Sequence, residues 1–193
     1  MQVDAHHRLH PAQWQPSPHW DNRPEWALPE LIVIHCVSLP EGQFGTGYPQ
    51  ALFLGCLDCS EHADFADLDG LEVAPHVLID RQGGVTQFVD FDKRAWHAGE
   101  SRWQGRSSCN SFAVGIELEG SVGVAYSLAQ YDTLLDVLTA LLQRYPQLSV
   151  ASIVGHNEIA PGRKQDPGPY FDWCGVLLEL HKRIAHQPSD QTG

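Results

Sequence analysis

His156, Lys164 and Asp166 fall within one short stretch, Gly155 to Pro169, which reads GHNEIAPGRKQDPGP. Pro161, Gly162, Pro167, Gly168 and Pro169 restrict or permit turns and remove backbone donors. The stretch is therefore expected to be a shaped, rigid loop, too rich in Gly and Pro to be a helix. An imidazole and a carboxylate ten positions apart on such a loop offer two donors to one cation, and zinc accepts that mixture. A third donor lies far upstream, where His35 directly follows the apolar run Leu31-Ile32-Val33-Ile34. A single histidine beside a strand is more often a satisfied histidine than a ligand. Two strand-end histidines together with an aspartate between prolines shift that balance. Three protein ligands leave the fourth position of zinc open for water, the arrangement of catalytic rather than structural sites.

These donors need strands that end where they begin. Leu31 to Ile34 is apolar without a break, as in a strand buried on both faces, and Val150 to Val154 is a short β-branched run that delivers His156 to the sheet's rim. His76 to Asp80 and Val85 to Val89 flank the tight turn Arg81-Gln82-Gly83-Gly84 and read as a hairpin, and Phe112 to Leu118 is a further strand. A short helix is expected around Pro49–Leu54. Ser127 with Gln130 forms a capping box, after which apolar residues from Leu128 to Tyr145 recur at helical spacing until Pro146. Asp172 caps a last helix to about Ala185. Residues 38–48 and 92–111 are glycine-bearing loops beside the histidines, the first a candidate lid. Residues 1–30, with five prolines, read as an irregular segment packed on the domain, and 187–193 as a disordered tail. Strands and helices interleave, so 31–186 is expected to be one α/β (α+β) domain, a central mixed β-sheet flanked by helices.

The bulk properties exclude several classes. A length of 193 residues fits one domain, and 42% hydrophobic content with six Trp excludes a disordered chain. A net charge of −12 argues against nucleic-acid or anionic-membrane partners, whose binding depends on Lys and Arg. No apolar run reaches the length of a membrane span. The N-terminus MQVDAHHRLHPAQW has neither a basic nor an apolar leader region, so a bacterial cytoplasmic location is expected. Cys56-Leu57-Asp58-Cys59 is a lone CxxC, with His62 three positions on, that lacks a fourth ligand. All five cysteines are expected to be reduced structural thiols.

Phe112 to Gly120 alternates: Val114, Ile116 and Leu118 share one face, Gly115, Glu117 and Glu119 the other. Charges inside an apolar strand are solvated, paired or working, and the alternation does not choose between the two glutamates. The set LIVIH, FDKRAWHAG, VGIELEG, GHNEIAP and GRKQDPGP resembles the zinc-dependent N-acetylmuramoyl-L-alanine amidases. Within them it is most similar to the cytoplasmic branch that acts on anhydro-muropeptides in cell-wall recycling. The likeness runs from about Leu31 to Trp173. It implies one zinc held by His35, His156 and Asp166, with Glu117 as catalytic carboxylate and Lys164 as stabiliser of the transition state. It also implies a peptidoglycan-recognition fold. Trp96 and His97 are then candidates to line the sugar or peptide groove with His76 nearby, and Arg163 to meet the stem peptide. The implied partner is a small soluble muropeptide bound by a monomer. Two rivals share the fold: a lytic endolysin or autolysin, which usually carries an export signal or wall-binding appendage, and a metal-free peptidoglycan-binding module, which typically has lost a zinc ligand.

Overall fold

A six-stranded mixed sheet organises the molecule, seen in a computed structural model that describes residues 1–186. In chain order its strands are β1 (Gln13–Trp14), β2 (Leu31–Val37), β3 (Val77–Ile79), β4 (Val85–Gln87), β5 (Ala113–Glu119) and β6 (Ile153–Gly155). Across the sheet they lie in the order β6-β2-β5-β3-β4-β1, with the β3–β4 hairpin as the antiparallel pair. The disordered tail expected at 187–193 lies outside the described residues.

The two faces of the sheet are covered differently. Ile32, Ile34, Val114, Ile116 and Leu118 point to one side, where they form the main core with Leu134, Leu138 and Leu141 of α2 (Leu128–Arg144) and Leu180 of α4 (Trp173–Ala185). The capping box at Ser127 and Gln130 and the Asp172 cap are both present. Leu128, expected on the apolar face of α2, is the helix's first residue and is 83% exposed. Leu31, Val33, Phe112 and Val154 point to the other side and pack with Ile159. That side is closed by loops, by α1 (Tyr48–Phe53) and by α3 (His156–Ile159), and it holds the histidines.

Three expectations are corrected. The N-terminal segment is not merely irregular: Gln13–Trp14 extends the sheet beside β4, and Trp20–Asn22 pairs with Lys93–Ala95. Frequent prolines cut these strands to two or three residues, which hides them from pattern reading. Val150–Ser152 is a 3₁₀ turn, so β6 begins only at Ile153. The loop after Gly155 opens with one helical turn, in which the Glu158 carboxylate accepts from the Gly155 amide at 2.8 Å.

Gln130 is wholly buried and joins helix to sheet. Its Nε2 donates to the carbonyls of Glu119 (2.9 Å) and Ile79 (3.3 Å), and its Oε1 accepts from the Ser127 amide. Gln130→Ala strands these groups without partners, so a loss of about 3 kcal/mol is expected, read as a lower urea midpoint at unchanged slope.

Candidate active site

The site lies at the carboxyl ends of parallel strands, where open sheets collect functional groups. Parallel pairing sets Glu117 of β5 directly beside His35 of β2. Gly155 of β6 pairs with Ile34, so the next residue, His156, comes level with His35 on the other side. Asp166 returns to this row on the proline-rich loop, whose backbone is tied down twice. The Asn157 amide donates to the Asp166 carbonyl (3.0 Å), and the Tyr126 hydroxyl donates to the Pro167 carbonyl (2.7 Å). A Cβ at Gly155 would come within 2.9 Å of the Pro167 ring, so glycine there is what allows the loop to close.

His35, His156 and Asp166 form the one cluster of three metal-binding side chains among the described residues. His35 Nδ1 lies 2.9 Å from His156 Nδ1 and 3.3 Å from Asp166 Oδ2, and His156 Nδ1 lies 3.0 Å from Asp166 Oδ2. The outward nitrogen of His156 settles its tautomer. Nε2 lies 3.1 Å from the Ala98 carbonyl, which only accepts, so Nε2 carries the hydrogen and Nδ1 presents a lone pair. That lone pair and the Asp166 carboxylate, both acceptors, face each other in a pocket where both histidines are buried. Acceptors so placed repel unless a proton or a metal ion joins them. Tetrahedral zinc with nitrogen and oxygen ligands holds them roughly 3.3 Å apart, so the observed triangle fits after small outward shifts.

Glu117 and Lys164 share a cleft of about 200 Å³ with this cluster, walled by Leu52, Phe53 and Leu71. Glu117 Oε2 is buried without a hydrogen-bond partner. Burial, reinforced by the Asp166 charge and opposed by Lys164, holds its carboxyl well above the usual carboxylate range. Lys164 is exposed, and its ammonium has no hydrogen bond or ion pair among the described residues. Glu119, two residues beyond Glu117, is committed elsewhere: it is buried and accepts from the amides of Gly45 (2.5 Å) and Arg81 (3.2 Å). The structure thus separates two glutamates that alternation left equivalent.

The expected substrate contacts divide. His97 lines the cleft. His76 does not: it is fully buried, with Nδ1 accepting from the Gly115 amide (3.0 Å) and Nε2 at 3.1 Å from the Lys93 carbonyl, so both nitrogens are used internally. Trp96 is outside the cleft lining, its indole nitrogen 3.4 Å from Asp21. Arg163 donates to the Ala98 (2.7 Å) and Glu100 carbonyls and lines a separate cavity with Arg102 and Ser107. Sequence reasoning missed the Ala98 carbonyl and Asn110. Asn110 Oδ1 accepts from the amides of His97 (3.2 Å) and Ala98 (2.8 Å) and sets the loop behind both histidines. A backbone carbonyl leaves no mark in a sequence, and one asparagine in a polar loop leaves little.

The sequence profile of N-acetylmuramoyl-L-alanine amidases matches residues 25–169. The chain belongs to that family. Over 170 residues the amidase is 51% identical to the 1,6-anhydro-N-acetylmuramyl-L-alanine amidase AmpD of Escherichia coli K12, covering 88% of this chain and 92% of the relative. A crystal structure of selenomethionine AmpD superposes with a TM-score of 0.89 at 48% identity, covering 93% of the amidase and 99% of that chain. The E. coli amidase AmiD, solved with anhydro-N-acetylmuramic acid-L-Ala-D-γ-Glu-L-Lys, matches at a TM-score of 0.57 and 28% identity, covering 83% of the amidase and 61% of that chain. No described helix is long and apolar enough to cross a membrane. All five cysteines are free, and Cys56 and Cys59 join no metal cluster among the described residues.

Burial lowers the pKa of His35 to about 4 from the usual 6.5, and pushes His76 and His97 well below it. These imidazoles are neutral when folded, and the unfolded chain binds more protons below about pH 6.5. Their contribution is complete above that pH and is lost as pH falls, for His35 down to about pH 4. In the chelator-treated protein, unfolding free energy should therefore drop as pH falls from 7 to 5, each such imidazole approaching roughly 1.4 kcal/mol per pH unit below about pH 6. Urea titrations across that range check it.

Proposed function

We propose that this amidase hydrolyses the amide between anhydro-N-acetylmuramic acid and L-alanine in soluble muropeptides. It does so with one zinc held by His35, His156 and Asp166, as a step of cytoplasmic peptidoglycan recycling. The observation that carries the reading is the convergence of three lone-pair donors beside an unpartnered, buried glutamate, Glu117. Zinc in such a site supplies Lewis-acid chemistry, lowering the pKa of water and polarising a carbonyl.

The chain's own groups supply the rest. Glu117 takes a proton from the attacking water as the new C–O bond forms, then returns it to the L-alanine nitrogen as the C–N bond breaks. Burial, which raises its pKa, strengthens its hold on the proton it takes from the water. Lys164, whose ammonium has no partner among the described residues, would stabilise the charge that develops on the carbonyl oxygen, worth about 2.7–4 kcal/mol for a single donor of this kind. Leu52, Phe53 and Leu71 exclude water and give a compact sugar an apolar wall. The AmiD complex, with an anhydro sugar joined to L-alanine in its printed ligand, supports this substrate class. A monomer acting on a diffusible ligand accords with a small, acidic chain.

Three experiments test the reading. Elemental analysis should find one zinc per chain, lost in Asp166→Ala. Glu117→Ala should keep zinc and fold while turnover falls about 10²–10⁴-fold, and Glu119→Ala should affect the chemistry far less. If Glu119→Ala proves the more damaging of the two for chemistry, the assignment of the proton carrier is wrong. In the third, anhydro-muramyl peptide should exceed the non-anhydro form in kcat/KM by at least about a hundredfold, or about 2.7 kcal/mol. Mass spectrometry of released peptide measures it. Equal rates, or efficient clearing of intact sacculi, would instead mark a lytic enzyme.

A further inference from the structure

Both candidate metal-binding histidines turn their far nitrogens to the same dipeptide. His156 Nε2 lies 3.1 Å from the Ala98 carbonyl, and His35 Nε2 lies 2.9 Å from His97 Nδ1. The rings of His35 and His97 meet edge to face, 5.0 Å between centroids. Asn110 Oδ1 accepts from both amides of the dipeptide, which fixes its backbone. His97 reaches this position because Gly115 lies beneath it: a Cβ at Gly115 would stand 2.4 Å from the ring. His97 Nε2 is buried without a partner. The ring therefore has one polar contact among the described residues, and that contact is with His35.

We propose that His97 is a positioning residue: its Nδ1 accepts the Nε2 hydrogen of His35, fixing the tautomer that leaves His35 Nδ1 free for the metal. Two arrangements fit a 2.9 Å separation, and only one suits metal binding. If His97 donated from Nδ1, His35 would keep its hydrogen on Nδ1, where it would have to be displaced by the cation. If His35 donates from Nε2, all three groups of the cluster present lone pairs to one point. The Ala98 carbonyl enforces the same tautomer on His156. Residues 97–98 thus orient both imidazoles from behind, and Asn110 couples the two. His97 faces the cleft, yet its role here is to act through His35 rather than on the substrate.

The inference rests on the zinc reading above, and the test separates the two. Zinc dissociation is measured by chelator competition for wild type, His97→Leu, His97→Asn and Gly115→Ala. The metal-free forms are compared by circular dichroism and urea unfolding. His97→Leu keeps bulk but removes the acceptor, and zinc affinity should fall about 10–100-fold. His97→Asn places an oxygen where Nδ1 was and should recover most of it. Gly115→Ala, which displaces the ring, should resemble His97→Leu. A readout that needs no variant is ring-nitrogen NMR of the zinc-loaded wild type. It should show His97 protonated on Nε2, with scalar coupling between His35 Nε2 and His97 Nδ1. Unchanged zinc affinity in a folded His97→Leu, or a hydrogen on His97 Nδ1, overturns the inference while leaving the zinc reading intact. A wild type that binds no zinc defeats the zinc reading instead.

Discussion

Everything in this molecule depends on the register of three neighbouring parallel strands. β2 carries His35, β5 carries Glu117 at the same level, and β6 ends one residue short of His156. Because side chains alternate, a slip of one residue on β5 would turn Glu117 into the core beneath α2 and bring Leu118 to the site. The register is held by the apolar residues of the other face, Ile34 against Ile116 among them, locked under Leu134, Leu138 and Leu141. The hydrophobic core thus determines which carboxylate meets the histidines.

The same arrangement concentrates groups that disfavour one another. A carboxylate facing a lone pair and a glutamate oxygen without a partner each act against folding. The burial that imposes this penalty also gives the site its chemistry, because a carboxyl shielded from water holds its proton more tightly than one at the surface. Lys164 is the exception. It is exposed on the loop, beside a cleft walled by Leu52, Phe53 and Leu71.

Much of this was legible in the sequence, for identifiable reasons. The unbroken apolar run before His35 announced a doubly buried strand, and Ser127 with Gln130 announced α2, because both signals are local. The cluster of His35, His156 and Asp166 was legible because prolines and glycines restrict where the last loop can go. What failed was non-local or made of backbone. Gln13–Trp14 is too short to show a period, and its place in the sheet is set by β4, some seventy residues away. Glu117 and Glu119 have the same parity, and only the amides of Gly45 and Arg81 distinguish them. Trp96 was placed in the groove, with His76 nearby, by the family resemblance, but a side chain's direction is fixed by partners such as Asp21 and Gly115 that no local pattern reveals.

The strand that supplies His35 is made early in the chain, yet both of its neighbours in the sheet come much later. His35 and His156 are 121 positions apart, and Asp166 follows ten residues after that. During synthesis one edge of β2 has no partner until β5 is made, and the other none until β6 follows. Such long-range pairing slows folding and leaves an unpaired strand edge exposed in the meantime. No partial chain ending before Asp166 has the full set of donors. Possession of all three is therefore a record that synthesis has passed the last loop and that the two distant halves of the sheet have found each other.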